Sequence, residues 1–436
     1  MSALREAAVV FGDEPGSGEV RLKPGVNLHH GHKAFKEEFG EPTSLEEDLL
    51  VLAAAIFASD LSFKRGEREE ITRQIQLTVP VVNLAAFESI KVELKYALYR
   101  LSHDAWDIRF TAKPGVPETT SAFPTEADGN VLLFSGGLDS FAAAVKYGTQ
   151  KEEVHLVSHV TRNLTVSRAQ DKVFEHLVKK YKKQFRRTTF RVSGLNRSDK
   201  GYPFASDDDR EESQRTRSFL FLSLAGLVAR RRGFHRIVMI AENGQMAIHL
   251  PLTAARIGSF STHTAHPNFV IIMGTLLSKL FSFSITIENP FLYLTKAEVV
   301  LDVVLKHSKA LSHAVSCWKA SRVSGGFNHC GFCVPCLIRR ISIEAHGVQV
   351  AEYKRDLFIE DIGMLDPTDE GKRNLADLGE FIHLFTTATP AQLEAEYPEL
   401  IDSSFSSEQA CAMYKRFTIE AKTVFEKYPG VKKFLT

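Results

Sequence analysis

No apolar run in this 436-residue chain approaches the roughly 20 residues a membrane-crossing helix needs. The opening Met1-Ser2-Ala3-Leu4-Arg5-Glu6 has no basic stretch followed by an apolar one, so it does not read as a secretory signal. Cysteine is scarce: there are five, and four crowd between Cys317 and Cys336. A secreted disulfide scaffold would spread its cysteines and would usually be shorter. A cytoplasmic protein with no membrane partner is therefore the expectation. An excess of one charge is missing too. Lys and Arg number 54 against 53 Asp and Glu, a net charge of +1, and nothing in that balance calls for nucleic acid or an anionic surface. Internal repeats and low-complexity tracts are absent, and the apolar and charged fractions are those of a globular protein. No Gly-x-x-x-x-Gly-Lys-Ser/Thr string occurs, which leaves a Walker-type NTPase unsupported. Gly16-Ser17-Gly18 lacks the strand-to-helix setting of a dinucleotide fingerprint.

What is present divides into three parts. Residues 1–125 read as a mixed α+β accessory unit. Ser44-Leu45-Glu46-Glu47 looks like a capping box opening an apolar helix, Leu84 to Leu101 is helical, and Ile75–Val79 and Trp106–Phe110 alternate as strands. Lys113 to Gly129, with three prolines and two glycines, is the clearest linker. Residues 126–345 alternate short apolar runs with helices. Strands are expected at 131–134, 154–160, 188–192, 237–241 and 285–287, and helices at 139–147, 169–181, 211–232 and 296–306. That alternation predicts an α/β fold, a parallel sheet flanked by helices. Residues 346–436 read as helical, with starts at Pro390 and near Ser406. Basic clusters at Lys179-Lys180, Lys182-Lys183, Arg186-Arg187 and Arg230-Arg231-Arg232 read as solvated faces or as charges favourable at helix C-termini.

The sharpest signal is Ser135-Gly136-Gly137-Leu138-Asp139-Ser140, set between the buried-type run Val131-Leu132-Leu133-Phe134 and a helix. Two glycines let the backbone turn tightly and approach a ligand. The first helical amides have no intrahelical partner, and with the helix dipole they form an anion site. Ser135 and Ser140 can add hydroxyl donors, and Asp139 can hold Mg2+, whose ligands include carboxylates and phosphate oxygens. Glu242-Asn243-Gly244 follows a predicted strand, where ligands of open α/β sheets bind. His263 and His266 are either acid–base groups or ordinary loop polar residues.

The cysteines run Cys317-x12-Cys330-x2-Cys333-x2-Cys336. Four thiolates close a tetrahedral Zn2+ site, with Gly331 permitting the tight turn. An iron–sulfur cluster is the competing occupant. Cys411 stands apart and reads as a small buried hydrophobe.

Ser-Gly-Gly-x-Asp-Ser resembles the PP-loop of the adenine-nucleotide α-hydrolase superfamily. Three further stretches sharpen the resemblance: Arg217-Ser218-Phe219-Leu220-Phe221-Leu222-Ser223-Leu224-Ala225, Asn289-Pro290 through Thr295-Lys296-Ala297-Glu298-Val299, and the cysteine run ending in Leu337-Ile338-Arg339. Together they resemble the QueC-type, 7-cyano-7-deazaguanine synthase-like branch over residues 130–345, with Ser218 standing where that branch has Asn. The longer ends are similar to the enlarged QueC-like proteins of bacterial anti-phage systems (Qat and type IV CBASS). The resemblance implies an ATP-dependent carbon–nitrogen ligase that forms AMP and pyrophosphate. Its substrate would be a 7-deazaguanine carboxylate and its acceptor ammonia or a protein amine from the same defence operon. Arg217 and Lys296 would stand near the nucleotide. An RNA-modifying PP-loop enzyme and a non-catalytic nucleotide-sensing subunit are the alternatives, and self-association is left open.

Overall fold

Two separate parallel sheets share one apolar core in the computed structural model, which describes residues 4–11, 18–66, 72–118, 126–150, 152–160, 163–181, 185–238, 241–252, 264–349 and 353–435. The first part comprises β1 (Leu4–Val9), β2 (Val20–Leu22), β3 (Leu28–His30), α1 (His32–Phe39), α2 (Ser44–Ser62), β4 (Gln74–Val81), α3 (Leu84–Ser89), α4 (Lys91–Ser102) and β5 (Ala105–Ala112). Its sheet runs β2-β1-β4-β5, all parallel. The second part comprises β6 (Gly129–Leu133), α5 (Leu138–Gly148), β7 (Glu153–His159), α6 (Leu164–Tyr181), β8 (Phe185–Phe190), β9 (Val192–Gly194), α7 (Arg217–Arg232), β10 (Arg236–Val238), α8 (Gly244–Ile248), α9 (Pro267–Phe281), β11 (Thr286–Glu288) and α10 (Lys296–Lys306). Its five-stranded sheet runs β11-β10-β6-β7-β8, again parallel. The chain then ends in α11 (Val334–Glu344), α12 (Glu370–Thr387), α13 (Pro390–Glu396), α14 (Ser407–Phe425) and α15 (Pro429–Lys432). The α/β fold with a helical C-terminal region is as expected.

The strand order has a consequence for function. From β6 the chain steps to β7 and β8 on one side, then returns to place β10 on the other. The loops after β6 and β10 therefore part at a switch point, where open α/β sheets take their ligands.

Three large cores, beside a small one around the clustered cysteines, hold these layers among the described residues. The largest joins the first two parts: Leu49, Leu52, Ile56 and Phe57 of α2 belong with Phe219, Leu220, Leu227 and Val228 of α7. Strand β3 pairs antiparallel with β9, so the N-terminal part also adds a ladder to the second part. Phe134, Leu138, Phe141 and Val300 lie in a second core behind the phosphate loop. The C-terminal helices enclose a third around Ile338, Leu378, Phe385 and Tyr414.

Several expected boundaries move. Thr43, not Ser44, caps α2: its hydroxyl accepts from Glu46 N and the Glu46 carboxylate accepts from Thr43 N. The motif fits either register, and Glu47 is drawn instead to His30 and His32. The helix expected from Leu84 to Leu101 is two helices that break at Ile90. Phe87 and Leu94 stay buried on both sides of the break, so periodicity alone does not reveal it. The strand expected at 188–192 is the separate β8 and β9. Arg186 and Arg187 belong to β8, the sheet's edge strand, where basic residues discourage further pairing. Helix α7 begins at Arg217 and not at Glu211. Arg230 and Arg231 are no solvated face: both pair with Glu46 of α2. Lys182, Lys183, His263, Gly16 and Ser17 lie outside the described residues, as does most of the expected linker's second half.

Candidate active site and metal centre

The phosphate loop opens where the switch point predicts. Ser135 is exposed and Gly137 half-exposed, while Gly136 is buried. Gly136 adopts φ +76°, and a Cβ there would lie 2.7 Å from the Gln170 amide nitrogen. Only glycine allows both that turn and the close approach of α6. The Gly136 carbonyl accepts from Val315 N, pinning the loop from the other side. Gly137 is the N-cap of α5, and its backbone N–H reaches no farther than Ser135 Oγ at a long 3.3 Å. Ser135 Oγ and Ser140 Oγ stand 3.2 Å apart, and Ser140 also donates to the Gly137 carbonyl. Leu138 points into the core behind the loop, so only its backbone can face a ligand.

Asp139, in the first turn of α5, is buried and does not face solvent alone. Lys296 Nζ pairs with its Oδ2, and Asn243 Nδ2 lies 3.4 Å from the same oxygen. Its other oxygen, Oδ1, is buried without a hydrogen-bond partner among the described residues. Glu242 also contacts Asp139. Burial, then the negative charge of Asp139, push its carboxyl up to about 8, against the pull of Lys296 and Arg217.

Each of these groups is held from behind. Lys296 is the first residue of α10, whose N-cap Thr295 forms a capping box with Glu298. The Lys296 N–H donates to Gln245 Oε1 at 2.7 Å, and Thr295 Oγ1 donates to Glu420 of α14. Asn289 Nδ2 donates to the Glu242 carbonyl, and Gly244 N donates to Leu294 O. The stretch 289–296 thus fastens the loop after β10 as well as delivering the lysine. Asn243 caps α8 by accepting from Met246 N.

Arg217 opens α7 on the far side of Glu242. It keeps solvent-accessible surface, yet protein crowds it enough that burial depresses its pKa while Glu242 opposes the shift. Both observations hold for a guanidinium that lines a cleft. The N-terminal part sets where α7 begins: Asp60 Oδ2 accepts from Thr216 N and Thr216 Oγ1, and Arg73 grips Asp60 Oδ1. Asp60 thus satisfies, from another part of the chain, the free amide at the N-cap residue of α7.

Sequence reasoning missed Asp60 and His159. His159 ends β7, between Phe221 of α7 and Phe57 of α2. Burial, with a smaller push from Arg217 and against the hydrogen bond to Val192, drops its pKa to about 4, so the ring is neutral. Nε2–H donates to the Val192 carbonyl, which leaves Nδ1 as a buried acceptor with no partner among the described residues. Its position at a strand's carboxyl end was the available signal. His266, by contrast, is the N-cap of α9 and is buried, with its pKa lowered to about 4. It serves as a cap and does not join the cluster around Asp139.

The four cysteines converge as their spacing implied. Cys317 Sγ and Cys333 Sγ lie 3.9 Å apart, as do Cys330 Sγ and Cys336 Sγ. All four sulfurs lie within 4.8 Å of one another and all four cysteines are buried. A disulfide would need about 2.05 Å. Four thiolates about 2.3 Å from one ion stand about 3.8 Å apart, so the set fits a single tetrahedral metal ion. An iron–sulfur cluster spreads its thiolates over several irons and needs a wider cage. Gly331 has φ +86°, and a Cβ there would meet the Arg355 carbonyl oxygen at 1.7 Å. Helix α11 starts immediately after Cys333 and carries Leu337, Ile338 and Ile341 into the C-terminal core, so the cysteine cluster sits at the root of that core.

The model of a family described as "Queuosine biosynthesis protein QueC" matches residues 129–347, half of the chain. No curated protein matches. Among the described residues, no helix is long and apolar enough to cross a membrane.

Proposed function

Because the chain belongs to the QueC family of ATP-dependent, ligase-like PP-loop enzymes, we propose that it adenylates a 7-carboxy-7-deazaguanine-like carboxylate and transfers the acyl group to an amine. A carboxylate oxygen attacks the α-phosphorus of ATP, the bond to the bridging oxygen breaks, and pyrophosphate leaves. The amine nitrogen then bonds to the acyl carbon, AMP leaves with the electrons of the acyl–oxygen bond, and the amine gives up a proton. The observation that carries this reading is the cluster of buried Asp139 and Lys296 with half-buried Glu242 beside the open Ser135–Ser140 loop.

In this reading the amides of Gly137 and Leu138 and the hydroxyls of Ser135 and Ser140 cradle the departing pyrophosphate. Asp139, through its orphaned Oδ1, and Glu242 would hold Mg2+, which would neutralise phosphate charge. Lys296 and Arg217 neutralise charge around the α-phosphate, and Asn243 keeps Asp139 oriented. The C-terminal site holds Zn2+ in a structural role.

The stretches outside the family match support a protein acceptor over ammonia. We treat 1–125 as an accessory unit, 126–345 as the catalytic unit and 346–436 as a helical unit, and we place the protein in anti-phage defence. Incubation with ATP, Mg2+ and 7-carboxy-7-deazaguanine should release pyrophosphate and AMP. A co-expressed neighbour protein should gain the mass of the acyl group. Pyrophosphate release that is indifferent to the deazaguanine would sink the substrate assignment, and an unmodified neighbour would leave ammonia as the acceptor.

A further inference from the structure

Outside the residues of the proposed active site, His30, His32 and Glu47 bring three potential ligand atoms within 4.8 Å of one another. His30 closes β3, Gly31 turns the chain with φ +85°, and His32 opens α1. The turn puts both rings on the same side, against the first coils of α2. His30 Nε2 lies 2.9 Å from Glu47 Oε1 and His32 Nδ1 lies 2.8 Å from Glu47 Oε2. His30 is buried, and Glu47 and His32 are part-buried. We propose that this His–Gly–His turn and Glu47 form a second metal site, for a divalent ion of the zinc class held by two imidazoles and one carboxylate.

Three features favour an ion over a plain hydrogen-bonded cluster. Two imidazoles with one carboxylate are a donor set that suits Zn2+ and its neighbours. Ligand atoms about 2.1 Å from one ion stand about 3.4 Å apart in a tetrahedron, so the present contacts need open by only about half an ångström. Each ring also has an oxygen facing its distal nitrogen: the Leu28 carbonyl lies 3.5 Å from His30 Nδ1 and the Glu41 carboxylate 3.8 Å from His32 Nε2. Metal-bound histidines typically donate their second N–H to such an acceptor, which fixes the tautomer. Three protein ligands leave a fourth position for water.

The location gives the ion a task. Strand β3 pairs with β9, and a Cβ on Gly31 would touch Phe190 of β8 at 3.0 Å. The turn therefore rests on the edge of the catalytic sheet. An ion there ties β3 and α1 to α2, the helix that also carries Asp60 and Phe57.

The test is metal stoichiometry on the full chain, stripped and then titrated with Zn2+ or Co2+. Wild type should bind two equivalents. One should show the intense thiolate-to-cobalt charge transfer of the cysteine site, the other only weak ligand-field bands. His32→Asn and Glu47→Gln should each bind one equivalent, with the thiolate bands unchanged, which also shows that the variant has folded. Glu41→Gln should keep the second ion but bind it about 10- to 100-fold more weakly. A wild-type chain that takes up a single equivalent, or a Glu47→Gln chain that still takes up two, overturns the proposal.

Discussion

Glu242→Gln should make the folded chain more stable, and increasingly so as pH rises. Burial first, then the charge of Asp139, carry the Glu242 carboxyl from 4.5 to about 8. In the unfolded chain the same carboxyl loses its proton near the lower value. Between the two values the folded state holds one proton more than the unfolded state, so stability falls as pH rises across that window. Below it both states are protonated and the residue imposes no penalty. Above it the penalty is complete: about 1.4 kcal/mol for each pH unit of the window, which comes to about 5 kcal/mol. Glutamine keeps the volume and cannot ionise. The stability difference between Glu242→Gln and wild type should therefore be near zero at pH 4.5 and grow to several kcal/mol by pH 8. Urea unfolding at a series of pH values measures it. A difference that stays flat with pH, or a wild type that is the more stable at pH 8, would refute the reasoning. The variant should also turn over poorly, because the cation site would lose a carboxylate.

The surrounding residues give further expectations. Lys296→Met removes the charge that holds Asp139 and pulls Glu242 down, so pyrophosphate release should fall about 100-fold or more, and the pH at which Glu242 weakens the fold should move upward. Gly136→Ala sets a Cβ against the Gln170 amide in a left-handed backbone; denaturant titration should show a loss of about 2–4 kcal/mol. Asp60→Ala takes one of two carboxylates from Arg73, which keeps Asp104, and leaves the Thr216 amide and hydroxyl without their acceptor, at a cost of about 1–3 kcal/mol, and any folded variant should show a raised KM for ATP or its co-substrate as Arg217 shifts. Cys333→Ser, which breaks the proposed four-cysteine zinc site and leaves His30, His32 and Glu47 intact, should lower Tm and expose α11 and the C-terminal helices to proteolysis before the N-terminal sheet.

The sequence disclosed what is written locally. Ser135–Ser140 is legible because a glycine turn between a buried strand and a helix uses neighbouring residues for one purpose. The cysteine run is legible because four thiolates for one ion must be spaced to meet. A cation at the first position of a helix opposes the dipole unless something negative answers it, so Lys296 stands out in the sequence, and the structure supplies Asp139 as its partner. Boundaries failed where two registers were chemically equivalent, as at Thr43 and Ser44, or where burial continued through a break, as at Ile90.

The missed residues share a different cause: their meaning lies in partners far away along the chain. Asp60 sits within a helix that reads as a solid apolar block, and nothing near it announces a partner 156 residues on, at Thr216. Arg230 and Arg231 looked like ordinary helix-terminal charges, and their destination on Glu46 lies in another part of the chain. Phe57 is indistinguishable by pattern from its apolar neighbours on α2, yet it is the one that reaches His159. The glycine turn between β6 and α5 is encoded locally and can be read from six residues. The orientation of the groups around that loop is encoded in the packing of α2 on α7. The N-terminal part is therefore bound to the cleft physically, and altering its core should change how Arg217 and His159 are aimed even where every residue of the phosphate loop is left intact.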